Sequence, residues 1–173
     1  MSDTGLIMDI FLQPGDFYFG DSETRIRTLL GSCVAITLWH PSRHIGGMTH
    51  CLLPGTGRVV SADGYDGRYV DEALPWLLRE AVRNGTRPAE YQFKLFGGGD
   101  MFAKSGTSND MGIGRKNALR AIDLLSGMGL SVLTHDIGGT TSRSLIFDVS
   151  TGDVWVRRGL SEDTPVQPMA LSA

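Results

Sequence analysis

Seven short runs rich in β-branched and aromatic residues, each bounded by Gly, Pro, Asn or Asp, constrain this chain more than any other feature. They cover residues 6–12, 34–39, 45–53, 91–96, 131–136, 144–149 and 153–157, and each reads as a strand. Glycine supplies 23 of 173 residues, about 13% against a usual ~7%, without matching proline, as tight turns between short strands require. Thr151-Gly152-Asp153 predicts a turn that makes the last two runs a hairpin. Only two segments carry a helical period. Val70, Ala73, Leu74, Leu77, Leu78 and Val82 form one apolar stripe, with Asp71 as N-cap, Pro75 near the first turn and Asn84-Gly85 at the end. Ala118, Ala121, Ile122, Leu125 and Met128 form the other, ended by Gly127 and Gly129. Many strands with two helices predict an α+β fold, or a sheet sandwich flanked by helices, rather than a doubly wound βαβ fold.

Length and charge narrow the function classes. The chain suits one domain, set at residues 1–160, with a flexible tail over 161–173 that holds two prolines and no apolar period. Lys and Arg number 16 against 19 Asp and Glu, a net charge of −3, which gives no basic face for nucleic acid. No apolar stretch approaches the roughly 18 residues of a membrane span. Residues 1–10 carry Asp3 and Asp9 and no basic start, unlike a signal peptide. Two cysteines are too few for a disulfide framework. The expectation is a cytoplasmic protein with both thiols reduced and no membrane insertion.

Residues 25–54 hold both cysteines and three of the four histidines. His40-Pro41-Ser42-Arg43-His44 reads as a turn between antiparallel strands. If residues 40 and 45 pair, partner numbers sum to 85, Ala35 faces His50, and Cys33 lies one diagonal step away on the same face. Diagonal neighbours are about 7–8 Å apart at the backbone. Any odd sum keeps Cys33 and His50 on one face; any even sum separates them. A thiol nucleophile needs such a neighbour, because the thiolate attacks and a histidine can take its proton and later deliver it to a leaving amine. Gly31-Ser32 before Cys33 can turn backbone N–H groups toward an oxyanion, and a hydroxyl of Ser32 or Thr28 can orient the histidine or the substrate amide.

The same residues admit plainer readings. A cysteine at a strand start is commonly a small buried hydrophobe, and His50 can be a satisfied strand residue. Cys51, next to His50, points to the opposite face and reads as core, while His40 and His44 read as solvated turn residues. His40, His44, His50 and Cys51 offer zinc-binding atoms but match no familiar ligand spacing. Residues 97–99, three glycines after a strand, lack the Gly-Lys-Ser/Thr end of a phosphate loop and read as a sharp turn bordering the site. Residues 112–117 read as a loop and a solvated first helical turn, with anion binding as the alternative.

Thr28-Leu29-Leu30-Gly31-Ser32-Cys33-Val34-Ala35 followed by Gly47-Met48-Thr49-His50-Cys51-Leu52-Leu53-Pro54 resembles the chemoreceptor glutamine deamidase family, CheD. Lys94-Leu95-Phe96-Gly97-Gly98, Gly114-Arg115-Lys116-Asn117, Asp136-Ile137-Gly138-Gly139 and Thr151-Gly152-Asp153-Val154 match in the family's order, so the resemblance spans residues 16–158. It implies removal of ammonia from receptor glutamine side chains, with Cys33 as nucleophile and His50 as general base and acid. It also implies a threonine upstream of the cysteine, for which Thr28 is the candidate, although the usual spacing falls on Arg27. The implied fold is a three-layer arrangement of β-sheets with flanking helices, similar to cysteine deamidase toxins. The implied partners are chemoreceptors (methyl-accepting chemotaxis proteins) and, for some members, a CheC-type phosphatase; no metal or organic cofactor is required. Two departures stand out: Thr140-Thr141-Ser142-Arg143-Ser144, where the family tends to another glycine and an arginine, and Cys51 beside the histidine. Two rivals remain, a binding module for receptors or a CheC-type partner with little catalysis, and another cysteine amidase or transamidating enzyme.

Overall fold

A computed structural model describes residues 5–57, 64–102, 112–159 and 167–168. Its strands are β1 (Met8–Phe11), β2 (Phe17–Gly20), β3 (Thr24–Leu30), β4 (Val34–His40), β5 (Ile45–Thr49), β6 (Gln92–Gly97), β7 (Val132–Ile137), β8 (Arg143–Asp148), β9 (Val154–Arg158) and β10 (Gln167–Pro168). The helices are α1 (Val70–Arg83) and α2 (Ile113–Gly127). The chain is thus a mixed α/β protein with two sheets. One sheet runs β1-β3-β8-β9-β10 and the other β2-β5-β4-β6-β7.

Side-chain alternation sorts these elements into three layers. In β4, Val34, Ile36 and Leu38 join Phe93 and Leu95 of β6 in a core against Val70, Leu74 and Leu77 of α1 and Ala118, Ala121 and Leu125 of α2. Ala35, Met48 and Phe96 look the other way and pack on Ile26, Leu30, Leu145, Phe147 and Val154 of the first sheet. The β2-β5-β4-β6-β7 sheet is therefore the middle layer, with apolar neighbours on both faces, which explains why the 34–39 run is nearly continuously apolar. The first sheet is an outer layer: β3 buries Thr24, Ile26, Thr28 and Leu30 and turns Arg25, Arg27 and Leu29 outward.

Three sequence expectations change. Tyr69, not Asp71, is the N-cap of α1, with no side-chain capping bond, so Asp71 is the second helical residue and Pro75 falls in the second turn. β2 and β3 are strands that the run of aromatic and β-branched segments did not include. His40 is buried rather than solvated: its Nδ1 accepts the Ser42 and Arg43 N–H groups, and its Nε2 lies 3.6 Å from Glu90. His44 is exposed, with a left-handed φ of 53° that completes the turn.

Candidate active site

The β4–β5 hairpin fixes the relation of Cys33 to His50. His40 pairs with Ile45 and Thr37 with Met48. One further bridge joins Val34 to Cys51 through N–H···O bonds of 3.0 and 2.8 Å. Partner numbers sum to 85 throughout, an odd register, so Cys33 and His50 share the face of Ala35 and Met48, toward the outer sheet. Cys33 is half-buried and packs on the inter-sheet core. Cys51 lies in the helix-side core, where burial pushes its thiol up to about 12, which leaves it inert at neutral pH.

Thr28 reaches the same space from β3, where period-2 alternation turns it inward. Its Oγ1 lies 2.9 Å from the Leu12 carbonyl and 2.7 Å from His50 Nδ1. A hydroxyl has one proton, and a carbonyl can only accept. Thr28 therefore donates to Leu12 and accepts from Nδ1–H, which puts the imidazole lone pair on Nε2. That atom is buried and has no hydrogen-bond partner among the described residues. Arg27, the neighbouring alternative, is exposed and pairs with Asp9 at 3.5 Å. The His50 backbone is pinned as well: its N–H donates to Asp16 at 3.0 Å, and its carbonyl accepts the Gly15 N–H at 2.9 Å.

Electrostatics make this a neutral pair at rest. Burial lowers His50 to about 4, against the opposing pull of Asp16 and the Leu12 carbonyl. Burial also raises the Cys33 thiol, with its own backbone N–H acting in the opposite sense. Both shifts favour thiol and imidazole over thiolate and imidazolium.

The three-glycine turn borders the site. Gly97 and Gly98 have φ of 99° and 65°, a region L side chains rarely adopt. Gly98 N–H donates to the Cys33 carbonyl at 2.9 Å and Gly99 N–H to Gly31 at 3.0 Å. A Cβ on Gly98 would lie 2.6 Å from the Gly114 carbonyl, so the start of α2 rests directly on this turn.

Two polar side chains complete the frame, and sequence reasoning gave neither a role. Asn117, expected in a solvated turn, is fully buried, and its Nδ2 donates to the carbonyls of Ser32 at 3.2 Å and Leu52 at 2.9 Å. Arg143, in the segment that departs from the family pattern, is buried; it donates to Asp136 at 3.0 Å and to the Gly138 carbonyl at 2.7 Å. The second Asp136 oxygen takes Arg158 at 2.6 Å, so the cluster ties β7 of the middle sheet to β8 and β9 of the outer one. The partners of Asn117 are backbone carbonyls distant in sequence, which no motif encodes. Among the described residues, no three His, Cys, Asp or Glu side chains gather as a metal site would require, and no helix is long and apolar enough to cross a membrane.

A family model described as CheD chemotactic sensory transduction matches residues 52–158. A probable chemoreceptor glutamine deamidase CheD of Pseudomonas syringae pv. syringae is 49% identical over 152 residues, 87% of this chain and 85% of the relative. A probable chemoreceptor glutamine deamidase CheD 3 of Dechloromonas aromatica is 47% identical over 148 residues, 86% of each chain. A more distant relative, a probable chemoreceptor glutamine deamidase CheD 1 of Leptospira interrogans, is 38% identical over 158 residues, 88% of this chain and 93% of its own length.

Proposed function

The chain belongs to the CheD chemotactic sensory transduction family, and we propose that it is a chemoreceptor glutamine deamidase in which Cys33 is the nucleophile, His50 the base and acid, and Thr28 the residue that sets the imidazole tautomer. The observation that carries this reading is the Leu12–Thr28–His50 chain of hydrogen bonds, which leaves Nε2 as a buried base on the face that Cys33 shares.

Because thiol and imidazole are both neutral at rest, proton transfer accompanies attack. Nε2 takes the Cys33 proton as Sγ bonds to the side-chain carbonyl carbon of a receptor glutamine, and the carbonyl π electrons move to oxygen. The Cys33 backbone N–H, which lies against its own thiol, is the donor assigned to that oxyanion. The tetrahedral intermediate collapses, Nε2–H protonates the departing nitrogen, and ammonia leaves a thioester. Water, deprotonated by Nε2, attacks the thioester; cleavage of the C–S bond releases glutamate and restores the thiol. One water is consumed per ammonia released, and no metal or organic cofactor takes part.

The three-layer order of outer sheet, middle sheet and helices supports the likeness to cysteine deamidase toxins. We place its action in the cytoplasm, on chemoreceptors; a CheC-type phosphatase, which the family resemblance gives for some members, is the further candidate partner. The test is ammonia release from isolated receptor, together with mass spectrometry of receptor co-expressed with wild type or Cys33→Ala. The amide-to-acid mass shift is expected only with wild type. A shift of equal extent with Cys33→Ala or His50→Ala refutes the mechanism, and receptor binding without ammonia release refutes the activity.

A further inference from the structure

We propose that Asn117 is a positioning residue for the deamidation: by holding the Ser32 carbonyl, it aims the Cys33 backbone N–H at the oxyanion formed when Sγ attacks. The inference rests on Cys33 being the nucleophile.

The Gly31-Ser32-Cys33 segment is not paired in a sheet, yet each of its three carbonyls is held. Gly99 N–H binds the Gly31 carbonyl, Asn117 Nδ2 the Ser32 carbonyl and Gly98 N–H the Cys33 carbonyl. Among the described residues no peptide bond is cis. In a trans peptide the carbonyl and the next N–H point in opposite directions. Fixing the Ser32 carbonyl on Asn117 of α2 therefore turns the Cys33 N–H away from α2, and that N–H lies against its own thiol. Of the three restraints, this is the one on the peptide plane that carries the Cys33 N–H, and the only one made by a side chain.

The same amide group governs the second arm of the site. Past the Val34–Cys51 bridge the two strands part, and the N–H groups of Leu52 and Leu53 both turn to Arg68, at 2.8 and 3.0 Å. Asn117 spans the gap by donating to the Leu52 carbonyl at 2.9 Å, two residues beyond His50. Two donors on one planar nitrogen suit two carbonyls that no backbone N–H serves among the described residues; serine offers one donor and an ionised aspartate none. The chain keeps those donors even though Asn117 Oδ1 is buried without a partner among the described residues. The contact of Gly98 with Gly114 seats α2 on the glycine turn, so the two backbone restraints and the side-chain one share a single frame.

The experiment compares two reactions of Cys33 in the full chain. Deamidation of isolated receptor passes through an oxyanion; alkylation by iodoacetamide displaces iodide and forms none. For Asn117→Ala the expected result is a kcat for ammonia release reduced about 10- to 100-fold, with KM within about twofold. The alkylation rate should stay within about threefold of wild type, since it does not need the aimed N–H. Leu125→Ala, a truncation in the core face of the same helix, should lower the unfolding temperature without this split. An unchanged kcat in folded Asn117→Ala overturns the inference, as does a loss of deamidation and alkylation in equal measure. If the alanine variant does not fold, Asn117→Asp keeps the volume and must show the same split. Failure of both to fold makes Asn117 a folding residue and ends the assignment. Loss of activity in Cys33→Ala but not in Asn117→Ala refutes the inference and leaves the deamidase reading standing.

Discussion

Thr28→Val removes one oxygen and keeps the shape of the side chain, so it isolates the tautomer lock. In the wild type, Oγ1 is buried, gives its proton to Leu12 at 2.9 Å and takes one from His50 at 2.7 Å. Valine severs both bonds. A buried polar group left without a partner costs about 1–3 kcal/mol, and the imidazole escapes that cost by moving its proton to Nε2 or by turning toward Leu12. Either move removes the base from the thiol. If the productive tautomer loses about 1–3 kcal/mol relative to its rivals, kcat falls roughly 5- to 150-fold, at 1.36 kcal/mol per factor of ten. KM should stay within about twofold, because Thr28 makes no proposed substrate contact. Thr28→Ser restores the oxygen and should recover most of the rate. Steady-state ammonia release from isolated receptor measures all three proteins, with unfolding temperature as a check on packing. Wild-type kcat in Thr28→Val refutes the tautomer argument; so does a serine variant no better than valine.

Other consequences follow from burial and backbone geometry. His50 titrates at about 4 in the fold and 6.5 when unfolded; because the unfolded chain takes up this proton first, the stability linked to it is complete above 6.5 and is lost as pH falls from 6.5 toward 4. Melting temperatures of wild type should therefore drop faster over that interval than those of His50→Gln, and parallel curves contradict the assignment. The acid limb of deamidation should likewise sit near pH 4, and a limb at 6.5 in the pH–rate profile refutes the buried-imidazole reading. In the native protein iodoacetamide should label Cys33 and spare the fully buried Cys51, with both labelled in denaturant; peptide mapping that finds native Cys51 modified shows the core to be open. Gly97→Ala drives a Cβ into the Cys33 carbonyl at a backbone φ of 99°, so it should lose both stability and activity by thermal melting and ammonia release, whereas Gly127→Ala, with nothing within 4 Å of its Cβ, should lose neither.

Much of this arrangement was legible from local chemistry. With residues 40 and 45 paired across the His40–His44 turn, as the structure pairs them, the register is odd and puts Cys33 and His50 on one face and Cys51 on the other. β3 was harder. Its period of two is present, but Arg25 and Arg27 interleave with its inward residues, so the segment is not among the seven β-branched and aromatic runs. Which layer β3 joined, and so whether Thr28 or Arg27 met His50, depended on pairing with β8, more than a hundred residues away. His40 misled because a turn histidine is normally solvated; here the ring itself caps the turn by accepting two N–H groups. Asn117 and Arg143 bond mainly to carbonyls or to charges brought near by the fold, and backbone acceptors leave no trace in residue identity.

Under the proposed mechanism, nucleophile and base sit at the open end of the β4–β5 hairpin of the middle sheet, and the group that sets the base's tautomer sits on the outer one. The proposed site is thus assembled only when two separately hydrogen-bonded sheets close against each other. A nascent or partly opened chain can hold Cys33 and His50 together through their hairpin and still lack a competent base. Under that mechanism, catalytic competence reports closure of the two sheets. It also follows that mild loosening of the inter-sheet core, far from any reacting atom, should silence activity before it unfolds the protein.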